Sequence, residues 1–318
     1  MDEGINAVEA PPVVSVLMTA HNREDYIAES IESVLAQTFT DFELIVVDDG
    51  STDGTVEVVT RYLKDPRVRL IRNERNLGDY PNRNHASTFA RGEFMKYHDS
   101  DDVMYPNCLE IMVRGLRAFP SAAFALSGNR GWPGGRVPML LTPRMSYQRE
   151  FLGSGLFNQG PASALFRTHA FHELGRFPVA GVHSDTQFWA TACARRSIVL
   201  VQVNLFYYRV HGGQELHASG PCTSAVADGL MFRALDAPEC PLEADEREQA
   251  KRNLAWGFIQ RAMHDLREGH PRLALYRLRK STLSLAEWFR YARRPRRATE
   301  AGSPASSSVK AQESVTNS

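Results

Sequence analysis

The sequence has few cysteines, and their spacing excludes two classes of protein. Among 318 residues only Cys108, Cys193, Cys222 and Cys240 are cysteines. They form no CxxC pair, so neither a disulfide framework nor a cysteine-ligated metal site is expected. We interpret them as isolated thiols in a reducing compartment.

Long apolar segments are also lacking. No run approaches the roughly 18 residues that a membrane-spanning helix needs. The first residues, Met1 to Ala10, are acidic and have no apolar core, unlike a secretory signal peptide. We therefore expect a protein that is either free in the cytoplasm or attached peripherally to the inner face of the cell membrane.

Neither sign of charge is in excess, since Lys plus Arg and Asp plus Glu both number 37. A dedicated nucleic-acid-binding protein normally has a basic excess, so no nucleic-acid partner is expected. Cations and aromatic residues are nevertheless concentrated between Arg272 and Arg297. This basic segment either contacts an anionic membrane surface or packs on the protein with its arginines in solvent, and packing is favoured.

Apolar strands and amphipathic helices alternate over about the first 130 residues. Short apolar runs typical of buried parallel strands lie at 13–18, 42–47, 68–71, 93–97 and 122–126. Helical spacing occurs between them, including a helix from about Asn82 to Ala90. The alternation predicts an α/β fold with a mostly parallel sheet flanked by helices. Residues 127 to 160 have no clear period and indicate loops or a β-hairpin.

Three loops that follow apolar strands are crowded with polar residues: Thr19 to Arg23, Asp48 to Gly54 and His98 to Tyr105. In a mostly parallel sheet, ligands bind in the loops at the carboxyl ends of the strands. These loops are therefore the candidate site.

Asp99, Asp101 and Asp102 place three carboxylates within four residues. They repel one another unless a cation or hydrogen-bond donors offset the charge. Such oxygen ligands suit Mg²⁺ or Mn²⁺, which in turn bind phosphates. An acidic helix N-terminus accounts for the same cluster without a metal, and the cluster alone favours neither alternative.

Asp48 and Asp49 begin a second acidic turn. Turn formation and helix capping by Ser51 or Asp53 account for part of its composition. Two aspartates at the strand end are more than a turn requires. A carboxylate there can accept a hydrogen bond from an N–H of uracil or thymine.

Several motifs of residues 13 to 120 occur in the order of one known family. The matching stretches are Val16 to Asn22, Ser33 to Phe39, Glu43 to Asp53, Asn76 to Gly78, Arg83 to Asn84 and Ala90 to Glu93, followed by the acidic cluster. The sequence resembles a family-2 inverting glycosyltransferase of the GT-A fold, a Rossmann-like nucleotide-diphospho-sugar transferase.

The resemblance implies transfer of a sugar from a nucleotide-diphosphate donor, most often a UDP-sugar, to an acceptor hydroxyl with inversion. The acceptor would be a saccharide, a lipid-linked molecule or a protein, in the synthesis of cell-envelope polysaccharide, glycolipid or another glycoconjugate. Mn²⁺ or Mg²⁺ would be the cofactor.

The resemblance also implies site residues. The nucleotide-sugar would contact Thr19, His21, Asn22, Asp49, Arg83 and Asp99. Asp49 would face the base, and Asp99 the ribose or a metal-bound water. His21 stands where the family often has a tyrosine that stacks on the base.

The remaining implied roles concern the metal and the acceptor. Asp99 and Asp101 are the two acids of the family's Asp-x-Asp motif, of which Asp101 would hold the metal. His211 would ligate the metal or contact the diphosphate. Asp185 would be the general base that takes the acceptor proton, although Ser184 replaces its usual acidic neighbour. Without the resemblance, a lone histidine and an acid at a helix start are more often structural.

The predicted organisation has four parts: a flexible N-terminus (1–12), a catalytic domain (13–225), a helical extension (226–298) and a disordered tail (299–318). Within the catalytic domain, residues 13–126 would bind the nucleotide and 127–225 the acceptor. Two alternative functions stay open at this point: a sugar-nucleotide nucleotidyltransferase, which would normally begin with a glycine-rich phosphate loop and a lysine, and a non-catalytic sugar-binding relative.

Overall fold

The computed structural model describes residues 10–128, 136–179, 181, 183–212, 223–280 and 285–291. The predictions for residues 1–9, for Cys222, for the basic residues after 291 and for the tail 299–318 lie outside the described residues.

Four parallel strands form the first half of the central sheet. They are β1 (Val14–Ala20), β2 (Phe42–Asp48), β3 (Val68–Arg72) and β4 (Phe94–Asp99), in the spatial order β3-β2-β1-β4. Their register aligns Thr19 of β1 with Asp99 of β4, and Ala20 with Asp48 of β2. The polar loops that follow these strands therefore begin at one edge of the sheet.

The second half of the sheet is mixed. It contains β6 (Phe124–Leu126), β7 (Met139–Leu141), β8 (Ala164–Arg167) and β9 (Ile198–Leu200), and the sheet order is β3-β2-β1-β4-β8-β6-β9-β7. β8 pairs antiparallel with both β4 and β6. A separate ribbon joins β5 (Val103–Met104) to β10 (Phe206–Tyr207). The predicted α/β fold with a mostly parallel sheet is confirmed, and the antiparallel strands β7 and β8 are additions to it.

Helices cover both faces of the sheet. In the described residues they are α1 (Ile27–Leu35), α2 (Thr55–Thr60), α3 (Asp79–Ser87), α4 (Cys108–Ala118), α5 (Pro143–Phe151), α6 (Thr168–Glu173), α7 (Ser184–Arg195), α8 (Thr223–Asp236), α9 (Ala244–Arg267), α10 (Pro271–Lys280) and α11 (Leu285–Tyr291), with a 3-10 turn at Pro161–Ser163. Because successive strand residues point to opposite faces, Val16 packs with α1 and α4, whereas Leu17 packs with the aromatic cluster around α6 and α7.

The prediction of loops or a hairpin for residues 127 to 160 was wrong for the helix α5. Its sequence is mostly polar, so the apolar spacing that predicts a helix is missing. The usable signal was at its start, where the Thr142 hydroxyl caps the helix and Pro143 is the first helical residue.

Helix α3 begins at Asp79, three residues before the predicted start. Pro81 looks like a boundary in the sequence. It lies in the first turn, however, where a backbone N–H would have no acceptor within the helix.

The C-terminal helices share the core of the sheet domain. Met231 and Leu235 of α8, and Ala250 of α9, belong to the same buried cluster as Tyr147 and Trp189. The predicted division at residue 226 falls inside α8, and the domain boundaries stay predictions. No helix of the described residues is both long and apolar enough to span a bilayer.

Candidate functional site

A cleft of about 470 Å³ opens at the carboxyl edge of the parallel strands. It is lined by Thr19, Ala20, His21, Arg23, Asp49, Asn76, Gly78, Asp79, Tyr80, Asn82, Arg83, Asp99, Ser100, Asp101, Asn158, Gln159, Gly160, Pro161, Asp185 and Tyr208. Seven of the nine predicted site residues are in this lining; Asn22 and His211 are not.

Asp49, directly after β2, is held by three donors. Its Oδ1 accepts hydrogen bonds from the Asn73 side chain at 2.7 Å and from the Leu77 N–H at 2.9 Å. Its Oδ2 accepts one from the Gly78 N–H at 3.0 Å. Because a carboxylate offers about four acceptor sites, one site on Oδ2 is left for a further donor. Asp49 is therefore fixed in place and can still bind one N–H group.

His21 and Asn22 occupy different positions relative to the cleft. The His21 Nδ1 lies 3.1 Å from the Asp49 carbonyl oxygen, so Nδ1 carries a proton and donates to that oxygen. Asn22 has a φ of +52°, and its side-chain oxygen accepts a hydrogen bond from the Thr52 N–H at 2.9 Å. Asn22 thus joins two loops outside the cleft lining, and its contact with a nucleoside stays a prediction.

Asp99 and Arg83 form a buried ion pair inside the cleft. The Arg83 Nη2 donates to Asp99 Oδ1 at 2.8 Å, and its Nε donates to Asp79 Oδ1 at 2.7 Å. Burial opposes ionisation of Asp99, but the adjacent Arg83 guanidinium outweighs it and holds the pKa of Asp99 below its ordinary value. The same two carboxylates raise the pKa of Arg83. This pair keeps a negative charge at the end of β4.

Asp101 lies between a fixed cation and a histidine. Its Oδ2 accepts a hydrogen bond from Arg23 Nε at 3.1 Å and lies 3.0 Å from His211 Nε2. The His211 ring packs against Tyr26 with a centroid distance of 4.4 Å. The structure therefore brings both predicted metal ligands, Asp101 and His211, together at the edge of the cleft.

The pair Asp101–His211 fits a divalent cation only in part. No group of three or more His, Cys, Asp or Glu side chains in the described residues could hold an ion. Mg²⁺ commonly binds one or two carboxylates and takes its other ligands from substrate phosphates and water. Asp101 and His211 would supply the protein ligands of such a site, and the phosphates and water would have to supply the rest.

Asp102 points away from the cleft. Its Oδ1 accepts the Arg209 N–H at 3.0 Å, while Oδ2 is buried with no hydrogen-bond partner among the described residues. Burial, together with the charges of Asp99 and Asp101, raises the pKa of Asp102 to about 8. Only two of the three clustered acids therefore face the cleft.

Asp185 is in the first turn of α7, across the cleft from the acidic cluster. Its Oδ1 accepts the Thr186 N–H at 2.6 Å. Burial raises the pKa of Asp185, against the lowering effect of that hydrogen bond and of the Arg83 charge. Burial, together with the nearby charge of Asp185, also raises the pKa of the Tyr80 hydroxyl. A carboxylate with a raised pKa is a better proton acceptor than an exposed one.

The Glycosyl transferase family 2 model matches residues 15–175. The chain belongs to this family. The match covers the four parallel strands, the acidic cluster and the cleft-lining residues up to Pro161, and it confirms the resemblance drawn from the motifs.

Two curated relatives illustrate the sequence similarity of this family-2 protein. One is the UDP-Glc:alpha-D-GlcNAc-diphosphoundecaprenol beta-1,3-glucosyltransferase WfgD of Escherichia coli, 41% identical over 32% of this chain and 40% of that protein. The other is the teichuronic acid biosynthesis glycosyltransferase TuaG of Bacillus subtilis, 36% identical over 38% of this chain and 50% of that protein. The chain thus spans half or less of the length of these relatives.

Solved structures with the same fold include two bound to nucleotides. S. aureus TarS 1-349 in complex with UDP has a TM-score of 0.58 and 23% identity, over 77% of this chain and 71% of that one. The mannosyltransferase PcManGT of Pyrobaculum calidifontis, with GDP-Man and Mn²⁺, has a TM-score of 0.53 and 19% identity, over 86% of both chains. At these identities the likeness shows the shared GT-A fold alone.

The family-2 cleft also contains residues that the sequence did not single out. Arg23 ends a polar loop after β1, and Tyr208 lies three residues before the predicted site residue His211, so both had a signal nearby. Asn158 and Gln159 had none, because they lie in a stretch without periodicity. Their position depends on contacts with distant residues.

Proposed function

We propose that this protein transfers a sugar from a UDP-sugar to an acceptor hydroxyl, with inversion and with the help of Mn²⁺ or Mg²⁺, in the synthesis of cell-envelope polysaccharide or a related glycoconjugate. One observation carries the proposal: Asp49, Asp99, Asp101 and Asp185, which come from separate segments, line one cleft. Membership of the family supports the transferase class.

The hydrogen bonds of Asp49 favour uracil, or thymine with its identical pairing edge, over guanine and cytosine as the base. Uracil offers a single N–H on its pairing edge, which suits the one acceptor site left on Oδ2. Guanine offers two adjacent donors, which would need acceptor sites on both carboxylate oxygens, and Oδ1 already accepts two hydrogen bonds. Cytosine presents a ring nitrogen acceptor, which a carboxylate repels.

The diphosphate would lie beside the acidic cluster. Asp101 and His211 would hold the divalent ion, and Arg23, ion-paired to Asp101, would add a positive charge next to the phosphates. A bound divalent ion would neutralise the charge that develops on the departing nucleotide diphosphate. Ion pairing with Arg83 holds Asp99 in the orientation in which it can accept from the ribose or from a water.

Asp185 would act as the general base. Its carboxylate takes the proton of the acceptor hydroxyl as the hydroxyl oxygen forms a bond to the anomeric carbon. The bond between that carbon and the diphosphate oxygen breaks, and its electron pair leaves with UDP. Inversion follows because attack and departure occur on opposite faces in a single displacement.

Release of UDP from UDP-sugars in the presence of Mn²⁺ tests the proposal. Asp101→Ala and Asp185→Asn should each lose at least about a hundredfold in rate, the lower end of what general acid–base or electrostatic groups contribute. Asp65→Asn is the control, because Asp65 pairs with Arg67 before β3 and is not in the cleft. Equal rates in all four proteins would defeat the proposal.

We also propose that the first part of the basic segment packs on the protein and does not contact a membrane. Arg277 is buried and ion-paired with Asp265, and the Tyr291 hydroxyl donates to Glu248 at 2.9 Å. Peripheral membrane contact would then depend on the other cations of the segment, among them the exposed Arg290 and the cluster Arg293 to Arg297. Flotation of the full chain with anionic liposomes, compared with a variant carrying glutamine at its four arginines between 293 and 297, tests this. Unchanged liposome binding in the variant would show that residues 293–297 do not make the membrane contact.

A further inference from the structure

Lys96 is a buried ammonium group that the proposed reaction does not use. It lies on β4 two residues after Phe94, and only 1% of the residue is exposed. Its Nζ donates to the Ala162 carbonyl oxygen and lies 5.9 Å from the centroid of the Phe206 ring. Burial of an amine or ammonium costs free energy that an apolar side chain of similar length would avoid. The contact with the Ala162 carbonyl offsets part of this cost.

Ala162 directly follows the cleft-lining residues Asn158 to Pro161, and distant groups hold this segment at several points. Before it, the Glu150 carboxylate accepts the Phe157 N–H at 2.8 Å. After it, the Ser127 N–H donates to the Ser163 carbonyl oxygen at 2.8 Å. The part between these two anchors forms one wall of the cleft.

Two buried side chains hold that wall from opposite sides. Lys96 is on the strand that ends at Asp99, and it binds the Ala162 carbonyl. Trp189 is on the helix that carries Asp185, and its indole N–H donates to the Gln159 carbonyl oxygen at 2.7 Å. The wall is thereby fixed both to the strand of the acidic cluster and to the helix of the proposed base.

We propose that Lys96 is a positioning residue for the acceptor wall of the cleft: by holding the Ala162 carbonyl, it fixes Asn158 to Pro161 relative to Asp99 and Asp185. The effect on catalysis rests on the proposed function. The effect on the wall itself does not depend on it.

Lys96→Met tests this, because it keeps the apolar stem and removes the donor. Arg167→Met is the matched control: Arg167 is also a mostly buried cation that donates to backbone carbonyls, those of Ala122 and Leu116, but it lies outside the cleft. Amide hydrogen exchange of a peptide covering residues 157–163 measures the order of the wall. In Lys96→Met we expect exchange there to rise about tenfold or more while peptides from β1 stay unchanged.

Two kinetic readouts accompany the exchange measurement. In Lys96→Met the affinity for UDP with Mn²⁺ should stay within about twofold of wild type, because the donor pocket is intact. The rate of UDP release at saturating UDP-GlcNAc should fall about tenfold, because the acceptor wall is no longer fixed. Lys96→Arg, which keeps a cationic donor, should restore both exchange protection and rate toward the wild type.

If residues 157–163 exchange in Lys96→Met at the wild-type rate, the proposal is overturned. An equal rise in exchange there in Arg167→Met would also overturn it, because loss of any buried cation would then loosen the wall. If Lys96→Met does not fold, Lys96→Gln, whose shorter side chain does not reach Ala162, replaces it with the same expected outcomes. A wild-type protein that binds no UDP would refute the proposed function instead, while the exchange result would still decide the role of Lys96.

Discussion

Replacing Asp49 with asparagine should change which nucleotide the protein binds. The new amide nitrogen must take the place of one carboxylate oxygen. At Oδ1 it would face two donors, from Asn73 and Leu77, whereas at Oδ2 it would face only the Gly78 N–H. The second orientation costs less, and it presents an N–H₂ group to the base at the acceptor site proposed for uracil.

The magnitude follows from the hydrogen bond that is lost. A hydrogen bond to a charged group contributes about 1.5–3 kcal/mol, so the Kd for UDP should rise about 10- to 150-fold. CDP should not weaken, because the ring nitrogen of cytosine accepts from the new amide. The ratio of the UDP and CDP affinities should therefore change by at least as much as the UDP affinity alone.

Isothermal titration of UDP and CDP in the presence of Mn²⁺ measures both affinities. Asp48→Asn is the matched control, since Asp48 is the neighbouring buried aspartate and is not in the cleft lining. Its UDP affinity should stay within about twofold of wild type because it removes no contact with the base. An unchanged UDP affinity in Asp49→Asn, or an equal loss for UDP and CDP, would refute the assignment of Asp49 to the base.

Other predictions concern the charged residues of the cleft. The UDP-release rate should fall as the pH drops through the raised pKa of Asp185. The midpoint of this acidic fall in rate should therefore lie above the ordinary pKa of an aspartate. A midpoint at that ordinary pKa would contradict the effect of burial on Asp185. The same raised pKa means that ionised Asp185 destabilises the fold as pH rises through it, so the thermal-unfolding advantage of Asp185→Asn over wild type should grow from acidic to neutral pH. Arg83→Met leaves Asp79 and Asp99 without their partner, and denaturant unfolding should show a loss of about 3–5 kcal/mol, the range for breaking a buried ion pair; a loss under about 1 kcal/mol would mean that the pair is screened like a surface pair.

The sequence predicted the donor side of the cleft because that side depends on local features. Asp49 and Asp99 follow apolar strands directly, and neighbouring parallel strands end at the same edge of a sheet. Knowing the strands was therefore enough to bring these acids together. The position of Asp185 came from the resemblance, since an acid at a helix start has no distinguishing signal of its own.

Other features depend on long-range packing and were not predictable in this way. Apart from the Asp-x-Asp motif nothing in the sequence distinguishes Asp102 from Asp101, but in the structure Asp102 is buried and accepts the Arg209 N–H. The wall at Asn158 and Gln159 is set by Glu150, Lys96 and Trp189, which are distant along the chain. No local pattern records such contacts.

Electron paramagnetic resonance of free Mn²⁺ tests the central claim most directly, because the signal of the aqueous ion falls when the ion is bound. For the wild type we expect a small loss of signal with the protein alone and a large loss when UDP is added. For Asp101→Asn with UDP we expect only the loss that UDP causes without protein. Equal binding of Mn²⁺ by Asp101→Asn and the wild type in the presence of UDP would contradict the claim that this carboxylate holds a divalent ion beside the diphosphate.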